Sequence, residues 1–467
     1  MRMVNSDARR ALGVESAQSF PVRRPPRALT SLHLQAHLRR AALALVAAAL
    51  LAGCASAGTE LAPTPTTTLP APPERAATPV PTDAPTPVSG LQGTVYVWTA
   101  WEAERVADLA SLLQVFQEQN PSVQIRLTYV ARDELLPTYR AAVSAGQAPA
   151  ILIGPSAWGA ALHRDGLILD VASRLMPAQR DGIVARLWSQ VTVGGATIGL
   201  PVRARGIVLL RNRNLAPQPA ADLDDLLQQA ARTSVRFASE PVFDLGFDFA
   251  SAQLTPCGGT VLRTGGGLGF TQETGLCWLT LLARFRQAGP LTFNTDADRS
   301  TFLAGHSPWL IDTTDAFPQI VSALGAQNLS VDAWPMIEPG GEVLSGTVWT
   351  DNAYFTVGTS AADLEASWAF ANLLISLEGQ QRLVQAEGSW FLPASRSVRP
   401  IESLAAAASS QLAGSTALPL AANLDVYRVP LERAVSSVAA QAGDPAAALK
   451  RATEVITNQL TQSPPGG

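Results

Sequence analysis

The clearest pattern of apolar and polar positions runs from Gly93 to Trp158. Thr94-Val-Tyr-Val-Trp98 is an apolar run that predicts a buried strand. From Arg105 to Glu118, Val106, Leu109, Leu112, Leu113 and Phe116 recur at helical spacing, and Asn120-Pro121 stops that helix. Val123 to Val130 alternates as a strand, Leu135 to Ala145 repeats as a helix ending at Gly146, and Ala150 to Ile153 is a short buried strand running into Gly154-Pro-Ser-Ala-Trp158. Strand, helix, strand, helix, strand with short connections predicts a parallel sheet covered by helices. Such sheets bind ligands outside the carboxyl ends of their strands. The loops there carry Trp98 and Trp101 after the first strand and Trp158 after the third. The competing reading of each tryptophan is core packing.

The pattern continues beyond this unit. Ala161 to Arg186 predicts further helices, Ala196 to Arg213 an extended stretch, and Leu223 to Ala231 a helix behind Asp222. Phe243 to Leu254 is short, aromatic and irregular, and Gly258-Gly259 and Gly265-Gly-Gly267 mark turns. Gly275 to Ala288 predicts a helix with Leu279, Leu282 and Phe285 on one side, and Trp309-Leu-Ile311 a buried strand. Leu364 to Leu383 predicts one long amphipathic helix, and Leu431 to Leu460 one helix to the end. There is no internal repeat.

The beginning of the chain changes the picture. Residues 1–38 are polar and Arg-rich, and Arg39-Arg40 precede the apolar run Ala41 to Leu51, too short to span a bilayer and suited to a signal-peptide core. The run ends in Leu51-Ala-Gly-Cys54, which resembles the lipobox of bacterial lipoproteins, so residues 1–53 read as a leader and Cys54 as the lipidated first residue. The competing reading is a short anchor with a chance Cys. Residues 54–91 are Pro-, Thr- and Ala-rich, with too few large apolar residues to offset the entropy of ordering, and read as a disordered tether. At a polyproline rise of ~3.1 Å per residue such a tether reaches roughly 110 Å.

At 467 residues, 47% apolar and 15% charged, the chain is long enough for two α/β lobes. Without residues 1–53 it carries 26 basic and 36 acidic residues, a net charge of −10, so no nucleic-acid partner is expected. Lys450 is its only lysine, which argues against Schiff-base chemistry and a P-loop. Only His163 and His306 remain after the leader, so no metal or other cofactor is expected. Cys257 and Cys277 belong to an exported chain, where a disulfide persists; they form either a bridge or two buried thiols.

Phrases met in order from about Gln92 to Leu460 resemble the extracellular solute-binding proteins of family 1, the lipoprotein receptors of sugar ABC importers related to maltose-binding protein. They are the strand with Trp98, Phe116-Gln-Glu-Gln-Asn-Pro121, Ala145-Gly-Gln-Ala-Pro149, Gly199-Leu-Pro201 with the strand to Asn212, Thr301-Phe-Leu-Ala-Gly305, Ala366-Ser-Trp-Ala-Phe370 to Gln381, and Pro393-Ala394. The resemblance implies a periplasmic-binding-protein-like α/β fold: two α/β lobes joined by crossing strands, with a ligand cleft between them. It implies lobe 1 at 92–202 plus 351–398 and lobe 2 at 206–344 plus 403–467. This chain departs from the family pattern at Ala150, where most members have Asp, and at Arg211-Asn-Arg213, where a Tyr-Asn-Lys phrase is usual. It departs again at Asp312-Thr-Thr-Asp315, where a Gly and a sugar-stacking Trp are usual; Phe317 is the nearest aromatic, and Trp349 is a replacement for the stacking role.

A sugar cleft needs flat aromatic faces and planar polar side chains. On the implied fold the candidates are Trp98, Trp101 and Glu102; Ser156 and Trp158; Arg203 and Arg205 on a crossing; Phe247 and Asp248; Asp312 and Asp315; Trp349 and Asp351; and Tyr427. Trp188, Trp278, Trp309 and Trp368 are expected in the core. Alternation puts Arg203 and Arg205 on one face, where they meet either an anionic ligand or the acids Asp312, Asp315 or Asp351, the second being favoured. The expected function is capture of a sugar or oligosaccharide and delivery to ABC permease subunits, by a monomer held at the membrane through a lipid anchor. The alternatives are a sensory or structural lipoprotein, or a secreted glycoside-acting hydrolase. Gly154-Pro-Ser156-Ala-Trp-Gly159 comes near a nucleophile elbow, but its second Gly falls one position late, and no enzyme is expected.

Overall fold

The computed structural model describes residues 90–101, 103–237, 239–263, 266–386 and 389–462. The leader, Cys54, the tether and Glu102 lie outside the described residues. The chain opens as the pattern predicts: strand β1 (Gly93–Thr99), helix α1 (Ala103–Gln119), β2 (Val123–Tyr129), α2 (Arg132–Ser144) and β3 (Ile151–Pro155). β2 and β3 both lie parallel to β1. The stretch from Ala161 to Arg186 is shorter and more broken than expected, with helical turns at Gly159–Arg164, Ala172–Arg174 and Pro177–Gly182.

Two long strands dominate the remainder of the sheet. β4 (Leu200–Asn212) and, far downstream, β7 (Thr347–Phe355) are buried at every position. β4 pairs antiparallel with β7 through its first half, and with β5 (Trp309–Thr313) and β6 (Leu329–Asp332) through its second. β7 continues into the first unit by pairing antiparallel with β3, and also carries the short parallel β8 (Thr416–Ala417). The result is one eight-stranded sheet of order β5-β4-β7-β3-β1-β2, with β6 and β8 beside the main path. Gly206 lies where β4 and β7 pass each other; a Cβ there would collide with the Thr347 carbonyl oxygen and with Leu412 of helix α7 (Ser403–Gly414), so only glycine fits.

The two faces of this sheet differ. On one face a single core runs the length of the sheet, from Val95, Val97 and Ile153 through Val202 and Ala204 to Val208, Leu310 and Phe317. On the other face there are two separate cores. One gathers Trp98, Leu135, Tyr139, Leu152 and Tyr354. The other gathers Ile207, Leu209, Trp309, Ile311 and Trp349 with helices α3 (Leu223–Ser234), α4 (Gln272–Ala283), α8 (Asp425–Ala439) and α9 (Pro445–Gln462). The gap between them falls at Arg203 and Arg205.

Two long helices predicted from periodicity are each broken. Leu364 to Leu383 becomes α5 (Ala361–Ile375) and α6 (Leu377–Gln385), with Ser376 extended between them and its Oγ accepting from the Gly379 N–H at 3.0 Å. Leu431 to Leu460 becomes α8 and α9, parted by Ala442 at φ 53° and by Asp444, which accepts from the Ala447 N–H at 3.0 Å. The apolar repeat carries through both breaks because each pair of helices packs on the same core. Trp278, Trp309 and Trp368 are buried as expected, whereas Trp188 is only half-buried, its indole N–H bonded to the Arg180 carbonyl.

Cys257 and Cys277 form a disulfide that ties the segment before the Gly-rich turns to α4, with Cα atoms 5.9 Å apart. Closing a loop of this length is worth about 3 kcal/mol. The Cys257→Ser/Cys277→Ser double variant is expected to lose roughly that much in denaturant unfolding. An unchanged midpoint in the oxidised wild type and the variant would disprove a stabilising role.

Candidate functional site

The polar strip between the two separate cores is built by β4 and β7. Arg203 stands opposite Asp351, and Arg205 opposite Trp349. The register slips by one residue between Asp351 and Asn352, which keeps both of these sequence neighbours on the same face. Both arginines and Asp351 are buried, so their charges have to be paired. Arg205 Nε donates to Asp315 Oδ1 at 3.0 Å, its Nη2 to Asp315 Oδ2, and its Nη1 to Asp351 Oδ1 at 3.1 Å. Arg203 Nη2 reaches the same Asp315 Oδ1 at 3.5 Å, and its Nη1 lies 3.9 Å from Asp351 Oδ2. From the loop after β1, Trp101 Nε1 donates to Asp351 Oδ2 at 3.0 Å. Aromatic faces back the guanidinium groups: Phe391 beside Arg203 and Trp349 beside Arg205, each at 6.0 Å to the ring centre. Burial alone would raise the Asp351 carboxyl, but the charges of Arg205, Arg203 and Arg132 outweigh it and hold it below the usual carboxylate range. Burial lowers the Arg205 guanidinium against the opposing pull of Asp351.

Two cavities flank this cluster. The one beside Trp101, Arg132, Gly154 and Asp351 measures about 10 Å³, space for roughly one water. The other, along the same face of β4 past Ile207, measures about 210 Å³ and is lined by Asp248, Phe249, Asn294, Thr295, Ile311, Asp312 and Thr313 over a floor of Asp244, Asp298 and Arg299. Its carboxylates differ in state. Asp244 accepts from the N–H groups of Gly246, Asn294 and Thr295 at 2.6, 3.0 and 2.8 Å and from Thr292 Oγ1 at 3.1 Å. Asp312 clamps Arg299 through Nε at 2.5 Å and Nη2 at 2.8 Å. Asp298 is buried, and burial beside Asp244 and Asp312 pushes its carboxyl up to about 8, although the backbone N–H groups of Arg299 and Asp244 pull the other way. Among the described residues no group of three or more His, Cys, Asp or Glu is placed to hold a metal ion.

Of the sequence candidates, the structure brings together Trp101, Arg203, Arg205, Asp315, Trp349 and Asp351 in the strip, and Asp248 and Asp312 in the larger cavity. Asp312 does not neutralise the crossing arginines, because Arg299 takes both of its oxygens. Five candidates fall elsewhere. Trp98 is packed edge-on to Tyr96 in a core, and Phe247 and Tyr427 are buried in the core that includes α8. Ser156 is buried with its Oγ donating to Gln190 Oε1 at 2.8 Å, which leaves nothing of a nucleophile elbow. Trp158 is half-buried and lies across Gly154, so it borders the smaller cavity only through that glycine. Sequence reasoning missed Arg132, Phe391, Asp244, Asp298 and Arg299. Arg132 had a signal, since it opens the helix just beyond the carboxyl end of β2. Asp298 and Arg299, inside a short helix, had none.

A family profile described as bacterial extracellular solute-binding protein matches residues 111–411. The chain belongs to that family. Its fold is that of solved sugar-binding proteins. The cyclic alpha-maltosyl-1,6-maltose binding protein of Arthrobacter globiformis superposes with a TM-score of 0.68 at 18% identity, over 79% of this solute-binding protein and 99% of the other chain. The GacH receptor of Streptomyces glaucescens, solved unliganded and with acarbose, gives 0.64 at 17%, over 79% and 99%. The maltose-binding MalE of Listeria monocytogenes gives 0.65 at 17%, over 80% and 99%. No curated protein matches the chain by sequence. Family membership makes this solute-binding protein extracytoplasmic.

Asp298 gives the solute-binding protein a pH signature. The folded state keeps a proton that the unfolded chain releases above about pH 4. The stabilisation is therefore fully present below about pH 4 and is lost as pH rises to about 8, the folded value. Melting temperatures of Asp298→Asn measured from pH 5 to 8 are expected to lack part of the wild-type decline. Identical slopes in the two proteins would refute a neutral Asp298.

Proposed function

We propose that this protein is a lipid-anchored receptor that captures a sugar or oligosaccharide between its lobes and delivers it to the permease subunits of an ABC importer. The observation that carries the reading is the strip itself. Planar guanidinium and carboxylate groups, backed by Trp349, Phe391 and Trp101, occupy the gap between two separate cores. Sugars need that combination of flat apolar faces and oriented polar groups. The structural neighbours GacH and MalE were solved with acarbose and maltose, and the Arthrobacter protein bears a maltosyl-sugar name, which supports a carbohydrate. On this reading lobe 1 comprises 92–202 plus 351–398 and lobe 2 comprises 206–344 plus 403–467. The receptor acts as a monomer, without catalysis, tethered by 54–91 from a lipid on Cys54.

The sugar reading is tested by thermal shift of the exported protein against neutral and acidic mono- and oligosaccharides, amino acids and short peptides. One class of saccharide is expected to raise the melting temperature saturably, since ligand at 100 times its Kd stabilises by about 2.7 kcal/mol. A response only to amino acids or peptides would refute it. The anchor is tested separately. Cys54→Ala is expected to move the protein from the membrane fraction to the soluble extracytoplasmic fraction with its melting temperature unchanged. If the variant stays in the membrane after a high-salt wash, the lipid is not the anchor.

A further inference from the structure

The two carboxylates that neutralise Arg203 and Arg205 are not equivalent. Asp351 lies on β7, directly opposite Arg203 in the ladder, also holds the Trp101 indole, and has a side chain only 2% exposed. It is built into the ribbon. Asp315 comes from the short turn Thr314–Ala316 after β5, and its side chain is 22% exposed. It grips Arg205 through both oxygens, Nε to Oδ1 and Nη2 to Oδ2, while Arg203 reaches the same Oδ1. That forked arrangement is how a guanidinium holds any carboxylate, one on a ligand included. Turning Asp315 out to solvent would leave Arg203, Arg205 and Arg132, which lines the adjoining small cavity, facing Asp351 alone.

The larger cavity lies next along the same face. Ile207 is two residues beyond Arg205 on β4, a displacement of about 7 Å along a strand. An acidic group and a ring from one sugar unit, or from two adjacent units, span that distance. The acids lining the cavity do not bar an anion in proportion to their number. Asp244 is saturated with donors, Asp312 and Asp296 both contact Arg299, and Asp298 holds its proton near neutral pH. Burial raises the Asp248 carboxyl against the pull of Arg428, and its side chain has no hydrogen-bond partner among the described residues, so it is a suitable partner for sugar hydroxyls.

We propose that the ligand is an acidic saccharide. Its carboxylate replaces Asp315 on the Arg203–Arg205 pair, and a sugar ring fills the cavity beside Ile207 and Ile311. The inference rests on the saccharide reading and narrows it to one chemical class. In the unliganded protein Asp315 stands in for the ligand's carboxylate and keeps the buried guanidinium groups neutralised.

Calorimetry on the full exported chain tests this with matched pairs that differ only in a carboxylate for a hydroxymethyl group: glucuronate and glucose, galacturonate and galactose, and their short oligomers. An acidic member is expected to bind at least 30-fold tighter than its neutral counterpart, with an affinity that falls as salt is raised. Asp315→Asn removes the competing charge and is expected to tighten the acidic ligand several-fold. Arg205→Lys, checked for folding by its melting curve, is expected to loosen it at least tenfold. Neutral sugars binding as well as or better than acidic ones would overturn the inference and leave the saccharide reading standing. Failure of every saccharide to bind the folded protein would overturn both. Weaker binding of the acidic ligand by Asp315→Asn would assign Asp315 to positioning the arginines and would likewise overturn the inference.

Discussion

Two guanidinium groups placed in the middle of a fully buried ribbon have to be neutralised, and much of the cleft's construction derives from that requirement. Water cannot solvate Arg203 and Arg205, which are 5% exposed each. A buried ion left without its partner costs about 3–5 kcal/mol. The neutralising groups therefore come from the strand beside them, Asp351, and from the turn after β5, Asp315. Asp351 then holds Trp101 from the loop after β1. Apolar residues of similar volume would stabilise such a ribbon as well or better. Stability alone therefore gives no account of this cluster.

The asymmetry of the sheet gives the cluster its mechanical setting. On one face apolar side chains run without a break beneath both halves of the molecule. On the other the core is interrupted, and the interruption is polar. Hinge bending in such an arrangement is easiest where one face has no apolar packing to disrupt, with the crossing strands taking up small changes in backbone angle. Gly206 lies at that place, held by the close approach of Thr347 and Leu412. The polar strip thus coincides with the interruption in the packing of that face.

Much of this was legible in the chain. The first five elements could be read from apolar spacing and from Asn120-Pro121 and Gly146, because each is a local pattern with a local stop signal. The shared face of Arg203 and Arg205 comes from period two alone, and their pairing with acids from the several acidic residues expected on neighbouring loops. The break at Ser376 was not legible, because the apolar repeat continues across it and a serine is no stop signal by itself. The break at Ala442 was marked by Gly443-Asp444-Pro445, a helix stop followed by an N-cap and a first-turn proline, which apolar spacing alone passes over. The choice among Asp312, Asp315 and Asp351 was not legible either. It depends on Arg299, brought beside Asp312 by the short helix before β5. Trp98, Phe247 and Tyr427 stand near strand ends or loops in sequence, yet the side chains turn into cores. Position at the carboxyl edge of a sheet locates a loop, and the direction of the side chain is settled by packing.

The larger cavity shows why a count of acids misleads. Asp244, Asp248, Asp296, Asp298 and Asp312 read together as a strongly negative pocket, suited to a cation. Their partners change that. Backbone N–H groups converge on Asp244 and fix the loop from Thr292 to Thr295, so its charge is spent on structure. Arg299 cancels Asp312 and contacts Asp296. With Asp244 and Asp312 both close, Asp298 is cheapest in its neutral form, because a third buried charge of the same sign has no cation left to answer it. What remains toward the cavity is Asp248, whose carboxyl burial raises, together with the Thr295 hydroxyl, since the Asn294 amide is already bonded to the Phe247 N–H and to Glu432. Such a surface does not bring several free oxygens to one point, as a metal ion requires.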